Sequence, residues 1–431
     1  MNNYQRFIFD SYEWNVDEKT LLLHYAIDDA LHFTETYRFN FAFNDYDSDA
    51  LESACQALFF MAGVSYYKTY LPANIVIATG QLTEVDADFF SRTYQRGLGE
   101  FFYVNQLDPI TPITFPFTPE LAATSTAVDS SGLLIGVGGG KDSLVSIEAL
   151  RAQPGVMTWS LDHQAQLQPL VDRIGLPHAW VDREWDSQLL TLNQQGAYNG
   201  HIPISAIFAC VGTVVAILTG CRDIIVSNEQ AANEPTLTYH GIDINHQYSK
   251  SEMFEQDYQA YLTRHFGTTL RYYSFLRPLN ELRIAQLFAQ TAFSKYKDVF
   301  SSCNRAFIHS SDHMSWCGVC PKCAFVFLAL TPFIDRLELE ALWSGKNLLL
   351  DQTLRETYEQ LLGTAGDKPL ECVGEIKESR AAMRLAQKLY PALTNYDFYL
   401  PATYDYTTLG TTSMPPEMYE QLLIHLSSVV S

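Results

Sequence analysis

A chain of 431 residues, 47% hydrophobic and 13% aromatic, has ample material for a buried core, and its low charged fraction of 18% excludes a largely disordered protein. Lys and Arg number 28 against 49 Asp and Glu, a net charge of −21 with no Lys/Arg block; nucleic acid is excluded as the main partner because its phosphate backbone would be repelled. Length alone predicts about three domains.

The N-terminal MNNYQRFIFD has no basic segment followed by an apolar one, so export is not expected. The runs RFIFD, TLLLHYAI and LHFTETYRFNF predict antiparallel strands joined by tight turns. From Asp49 the pattern becomes helical: Leu51, Ala54, Cys55, Leu58, Phe59 and Ala62 share one face that Gly63 closes. A second helix is expected over Ala87 to Arg96, ending at Gly97. The stretch DPITPITFPFTPE, with Pro109, Pro112, Pro116 and Pro119, cannot be a regular helix and reads as a linker. The expected division is an N-terminal α+β domain (1–105), this Pro-rich linker (106–130), a catalytic domain (131–335) and a mainly helical C-terminal region (336–431).

Beyond the linker the order is strand, Gly-rich loop, helix, which predicts an α/β domain on a parallel sheet. LLIGV, MTWSL, HAWVD and DIIVSN are the strands, with LRYYSFLRPL as a further candidate. Ile202 to Cys221 is uncharged and long enough to cross a bilayer, but without basic flanking loops it reads as a buried helix rather than a membrane span.

The loop Gly138-Gly139-Gly140-Lys141-Asp142-Ser143 follows LLIGV directly. It is not a Walker A loop, because Ile135 and Asp142 stand where Gly and Ser/Thr belong, and Lys141 breaks the Rossmann pattern. Three glycines between a strand and a helix let the backbone close on an anion that faces the helix N-terminus, with Lys141 and Ser143 as donors. The hexapeptide resembles the S-G-G-x-D-S pyrophosphate loop (PP-loop) of the N-type ATP pyrophosphatases, with Gly138 replacing the Ser. That resemblance implies an adenine nucleotide alpha hydrolase-like fold and cleavage of ATP between its α- and β-phosphates.

Four of the eight cysteines, Cys303, Cys317, Cys320 and Cys323, fall within 21 residues, a spacing that suits a metal in a reducing, cytoplasmic compartment better than a disulfide scaffold. Structural Zn²⁺ is expected ahead of an iron–sulfur cluster or free thiols, with His309 and His313 as fallback ligands. A closed thiolate site does no chemistry, so it marks architecture. Its C-G-x-C-x-x-C run also resembles the zinc motif of the pyrophosphatase-type enzymes of queuosine synthesis.

Ligands of open parallel sheets lie at the carboxyl ends of the strands. Polar segments expected at that edge are Asn199-Gly200-His201, then Ser227-Asn228-Glu229 with Asn233-Glu234, then Asn245-His246-Gln247-Tyr248-Ser249-Lys250. Helix capping is the alternative for Asn199. Arg277 offers a cation for a phosphate or carboxylate, or is simply a surface Arg before a helix. Cys372, in Glu371-Cys372-Val373-Gly374-Glu375, reads as a small buried hydrophobe rather than a nucleophile or base.

The blocks VGGGKDS, NGHIPIS, IIVSNEQAANE, INHQYSKS, FSSCNRAF, WCGVCPKCAFVFLAL and KPLECVGEIKESR, in this order and spacing, resemble the UDP-N-acetylmuramoyl-L-alanyl-L-glutamate epimerase family, MurL. GVSYYK and GLGEF extend the resemblance over nearly the whole chain. It implies ATP-dependent inversion of the terminal L-Glu of UDP-MurNAc-L-Ala-L-Glu, with release of AMP and pyrophosphate, and a functional link to the ligase that adds L-Glu to UDP-MurNAc-L-Ala. On this reading Gly138 to Ser143 hold pyrophosphate, and Asp142 assists Mg²⁺. Lys250 and Arg277 neutralise phosphate or carboxylate, and His201, Glu229 or His246 is the acid/base, with Cys372 last among the candidates. Asn199, Gly200, Asn228, Asn233, Glu234, Asn245, Tyr248 and Ser249 line the substrate. The competing readings are a relative that adenylates another carboxylate or amide for transfer to ammonia or sulfur, and a nucleotide-binding regulator without catalysis.

Overall fold

The computed structural model describes residues 4–122, 124–308 and 312–429. Its strands are β1 (Arg6–Asn15), β2 (Thr20–Ile27), β3 (Leu31–Asn40), β4 (Asn74–Ile77), β5 (Leu133–Gly136), β6 (Val156–Leu161), β7 (His178–Glu184), β8 (Asp223–Val226), β9 (Leu237–Tyr239), β10 (Ile242–Ile244) and β11 (Arg271–Ser274). Nine of them form one sheet in the order β11-β8-β5-β6-β7-β3-β2-β1-β4. From β11 to β7 every pairing is parallel. The chain is thus α/β, with a large, mostly parallel central sheet.

Residues 6–40 form antiparallel strands, as their alternation predicts, and they join the parallel strands in the same sheet. The seam is β3 against β7, from Thr36 opposite Glu184 to Asn40 opposite Trp180. A buried ion pair closes it: Arg183 donates to Glu35 at 2.8 and 3.2 Å and to Ser65 Oγ at 2.9 Å, and Tyr37 donates to the same carboxylate at 2.6 Å.

Each parallel strand buries both faces, as a sheet covered by helices requires. Leu134 and Ile224 point into one core, with the helices Ser48–Ala62, Ile204–Thr219 and Glu252–Phe266. Their neighbours Leu133, Ile135 and Ile225 point into the other, with the helices Lys141–Leu150, Glu281–Thr291 and Pro321–Leu330. The C-terminal helices Arg355–Leu361, Ile376–Leu389 and Pro416–Val429 contribute Tyr358, Met383 and Leu422 to that second core.

The uncharged segment is the helix Ile204–Thr219, almost wholly buried. No helix among the described residues is long and apolar enough to cross a membrane. Two features had no sequence expectation: β4, which adds an edge to β1, and the β9–β10 hairpin, which lies between the polar segments that end at Glu234 and begin at Asn245.

Candidate active site

The carboxyl end of β5 runs into the glycine loop, and Gly140 begins the helix Lys141–Leu150. Gly139 has φ +90°, and a Cβ there would collide with Met314. The loop is braced from the Cys303 arm: Ser301 N donates to Gly139 O at 3.0 Å, and Lys141 N donates to Ser302 Oγ at 3.2 Å. Ser143 Oγ donates to Gly140 O at 3.2 Å. The helix N-terminus therefore has the form of an anion cradle.

Lys141, expected to reach an anion, is instead buried between two carboxylates, Asp142 and Glu281. Lys322 Nζ lies 3.5 Å from the other oxygen of Glu281, whose amide donates to Glu378 Oε1 at 2.9 Å. Burial, with Glu281 and Asp142 nearby, pushes Glu229 up to about 7. Burial likewise holds Glu378 well above the usual carboxylate range. The edge of the sheet thus carries a buried network of both charge signs, a local chemistry that the net charge of the chain conceals.

Arg277 also differs from its expected role. Its guanidinium is buried on Glu255, at 2.8 and 3.1 Å, and on the backbone oxygens of Glu229 and Lys250, at 2.8 and 2.6 Å. All of these partners belong to the protein, so Arg277 holds together the two loops that carry Glu229 and Lys250. Six expected substrate residues are likewise engaged in the fold. Asn233 accepts from Glu252 N at 2.7 Å, Asn245 closes a turn onto Gln247 N and Ala232 O, and Tyr248 packs in the core. Asn228 O accepts from Ser274 Oγ, Glu234 pairs with Lys368 at 3.0 Å, and Ser249 is buried.

Lys250 leads to the second half of the site. Its ammonium lies 3.2 Å from Cys372 Sγ, and His246 Nε2 lies 3.9 Å from the same sulfur. His246 Nδ1 bonds Glu100, which His201 approaches to 3.5 Å. Burial opposes a charge on both partners, but the interactions outweigh it. Lys250, His246 and Lys322 bring the Cys372 thiol down to about 6, and hydrogen bonds to Cys372 and Glu100 lift His246 to about 9. Burial and the neighbouring His246 lower His201 to about 4. These shifts favour a thiolate beside an imidazolium and an ammonium. His246 uses both ring nitrogens, linking Glu100 to Cys372, and His201 stands beside the same carboxylate.

Asn199 accepts from Lys68 Nζ at 2.8 Å, and Lys68 also donates to Gly200 O at 3.2 Å. Burial lowers Lys68 to about 8. Lys68 and Glu100 lie in the GVSYYK and GLGEF blocks, so the first hundred residues contribute to the site, a role the sequence left open. Sequence reasoning also missed Glu281, Lys322 and Glu378; the signal it had was KPLECVGEIKESR, which contains both Cys372 and Glu378.

The four cysteines come together on the second face. Cys303 and Cys320 sulfurs are 3.9 Å apart, Cys317 and Cys323 3.8 Å, and all four lie within 4.8 Å of one another. Those spacings are close to the edge of a tetrahedron of sulfurs bound at ~2.3 Å, about 3.8 Å, so the thiolates fit a closed metal site. None of the eight cysteines is in a disulfide. His313 is exposed beside Asp312, and His309 lies outside the described residues.

This architecture has relatives. The MurL N-terminal domain profile matches residues 1–275, and the MurL C-terminal domain profile matches residues 299–392. The chain belongs to the MurL family. A MurL relative from Xanthomonas oryzae pv. oryzae, described as UDP-N-acetyl-alpha-D-muramoyl-L-alanyl-L-glutamate epimerase, is 42% identical over 83% of this chain and 80% of its own length. Proteins of the same description from Micromonospora sp. and Salinispora tropica are 39% and 37% identical, each over 88% of this chain and over 86% and 84% of their own lengths. No solved structure matches. As a MurL family member the chain is an enzyme, an isomerase of the epimerase type.

Proposed function

We propose that this enzyme inverts the terminal L-Glu of UDP-MurNAc-L-Ala-L-Glu to D-Glu for peptidoglycan precursor synthesis, activating the α-carboxylate with ATP and releasing AMP and pyrophosphate. One observation supports the reading: the glycine loop and the Lys250–Cys372–His246 cluster lie close enough for Asp142 of the loop to act electrostatically on both Glu229 and Lys250.

The chemistry requires both halves. An α-proton beside an ionised carboxylate is hard to remove, because the enolate would carry a second negative charge on the same group. Joining the carboxylate to AMP removes the first charge, and a positioned base then takes the proton while nearby cations stabilise the enolate oxygen. The loop Gly138 to Ser143 would hold the pyrophosphate end of ATP through backbone amides. Mg²⁺, with Asp142 as its protein ligand, would offset phosphate charge. Asn199, Gly200 and Lys68 lie toward the His201 side, where the carboxylates of the peptide would find a cation.

The test is incubation with the UDP-linked dipeptide, ATP and Mg²⁺, with nucleotide analysis and chiral analysis of the released glutamate. AMP, pyrophosphate and D-Glu in equal amounts are expected. ADP with phosphate, or a product of changed mass, contradicts the proposal; an amide or thioamide indicates transfer chemistry instead.

A further inference from the structure

The sequence offers Cys372 as a small buried residue first and as a base last; in the structure its sulfur faces Lys250 at 3.2 Å and His246 at 3.9 Å. The sulfur stands at the junction of three elements: the Tyr248–Lys250 turn, the loop before the helix Ile376–Leu389, and the Glu100–His246 pair. The charged groups facing it are Lys250, His246 and Lys322, with Glu371 beside it in the chain and Glu100 and Glu229 behind the two bases. A cysteine kept only to fill the core has no such company, and burial in apolar surroundings holds Cys55 and Cys210 far above the usual thiol range.

Resting on the epimerase reading above, we propose that Cys372 is the base that removes the glutamate α-proton, its thiolate held in place by Lys250 and His246. The Cα–H bond breaks and an S–H bond forms, while the electron pair moves into the enolate of the acyl-adenylate. A proton delivered from solvent to the opposite face of Cα then gives the D centre. Cys372 returns its own proton to solvent, and water cleaves the adenylate to AMP. Lys250 and His246 are positioning residues for the thiolate. The candidates His201 and Glu229 are engaged elsewhere: His201 is turned to Glu100 at 3.5 Å, and Glu229 sits with Glu281 and Asp142 in the charged network at the glycine loop.

The experiment compares two partial reactions in D₂O: substrate-dependent ATP–pyrophosphate exchange, which reports adenylation, and deuterium entry at the glutamate Cα. Cys372→Ala and Cys372→Ser are expected to slow deuterium entry by at least ~100-fold, in the range of general-base loss, while ATP–pyrophosphate exchange stays within about threefold. Deuterium entry within threefold of wild type overturns the assignment, as does loss of both reactions in a variant with a wild-type circular dichroism spectrum. Should both variants misfold, iodoacetamide labelling of the wild-type enzyme at Cys372, mapped by mass spectrometry, decides: the alkylated enzyme must lose deuterium entry and keep ATP–pyrophosphate exchange. A peptidyl adduct on Cys372 in quenched reactions identifies the thiolate as a nucleophile and overturns its role as base. If the wild type shows no substrate-dependent exchange of ATP with pyrophosphate, the adenylate reading itself falls.

Discussion

The ammonium of Lys250 lies 3.2 Å from the sulfur of Cys372 across 122 positions of sequence. That contact joins a polar turn after β10 to a loop in the last quarter of the chain, and with His246 and Lys322 it draws the thiol below its ordinary range. The pair dictates a pH dependence. A depressed thiol ionises as pH rises through about 6, so alkylation of Cys372 and deuterium entry at Cα should each increase about tenfold per pH unit below 6 and level off above it. Rapid alkylation kinetics between pH 5 and 8.5 measure the midpoint; one near 8.5, the value of a free thiol, contradicts the thiolate.

Glycine-loop variants separate space from conformation. Nothing lies within 4 Å of a Cβ built on Gly138, so Gly138→Ser should keep its melting temperature and bind ATP at least as well, because the hydroxyl adds a phosphate donor. Gly139→Ala meets both a left-handed backbone and Met314; a cost of about 1–2 kcal/mol from the backbone alone is expected, with a raised KM for ATP. Thermal melts and ATP kinetics on the two variants check the contrast.

The cysteine site should act at a distance. Cys303 follows Ser301 and Ser302, which brace the glycine loop, and Cys320 and Cys323 flank Lys322, which faces Glu281. Purified protein is expected to hold one zinc per chain, and Cys317→Ser to lose it. Hydrogen exchange in that variant should rise not only around the cysteines but also at residues 138–143. Wild-type exchange at the loop in the metal-free protein contradicts this coupling.

The seam of the sheet offers a stability test. Glu35→Ala leaves the buried Arg183 without its carboxylate, and loss of one partner from a buried pair costs about 3–5 kcal/mol. Urea unfolding of the variant measures it; a loss below about 1 kcal/mol contradicts a structural role for the pair.

Much of this was legible in the residues. Strands with both faces apolar, a glycine run before a helix and a tight Cys-x-x-Cys spacing each have a short-range physical cause, and each predicted an element that the structure shows. What stayed hidden depends on long-range packing. Arg277 reads as a ligand cation until Glu255 is seen against it, and Lys141 as a phosphate donor until Glu281 is. Cys372 looked like filler because its company comes from residues 246, 250 and 322, which no local pattern ties to it. Glu100 and Lys68 were invisible as site residues because the first hundred residues look like a separate unit until β3 pairs with β7.

The central claim, activation of the α-carboxylate by transfer to AMP, has one direct measurement. The UDP-linked dipeptide labelled with ¹⁸O in its terminal α-carboxylate is turned over with ATP and Mg²⁺, and the AMP is examined by mass spectrometry. One ¹⁸O should appear in the phosphate of AMP, because hydrolysis of the adenylate at the acyl carbon leaves the substrate oxygen on phosphorus. AMP free of label, or ¹⁸O in inorganic phosphate, contradicts the account.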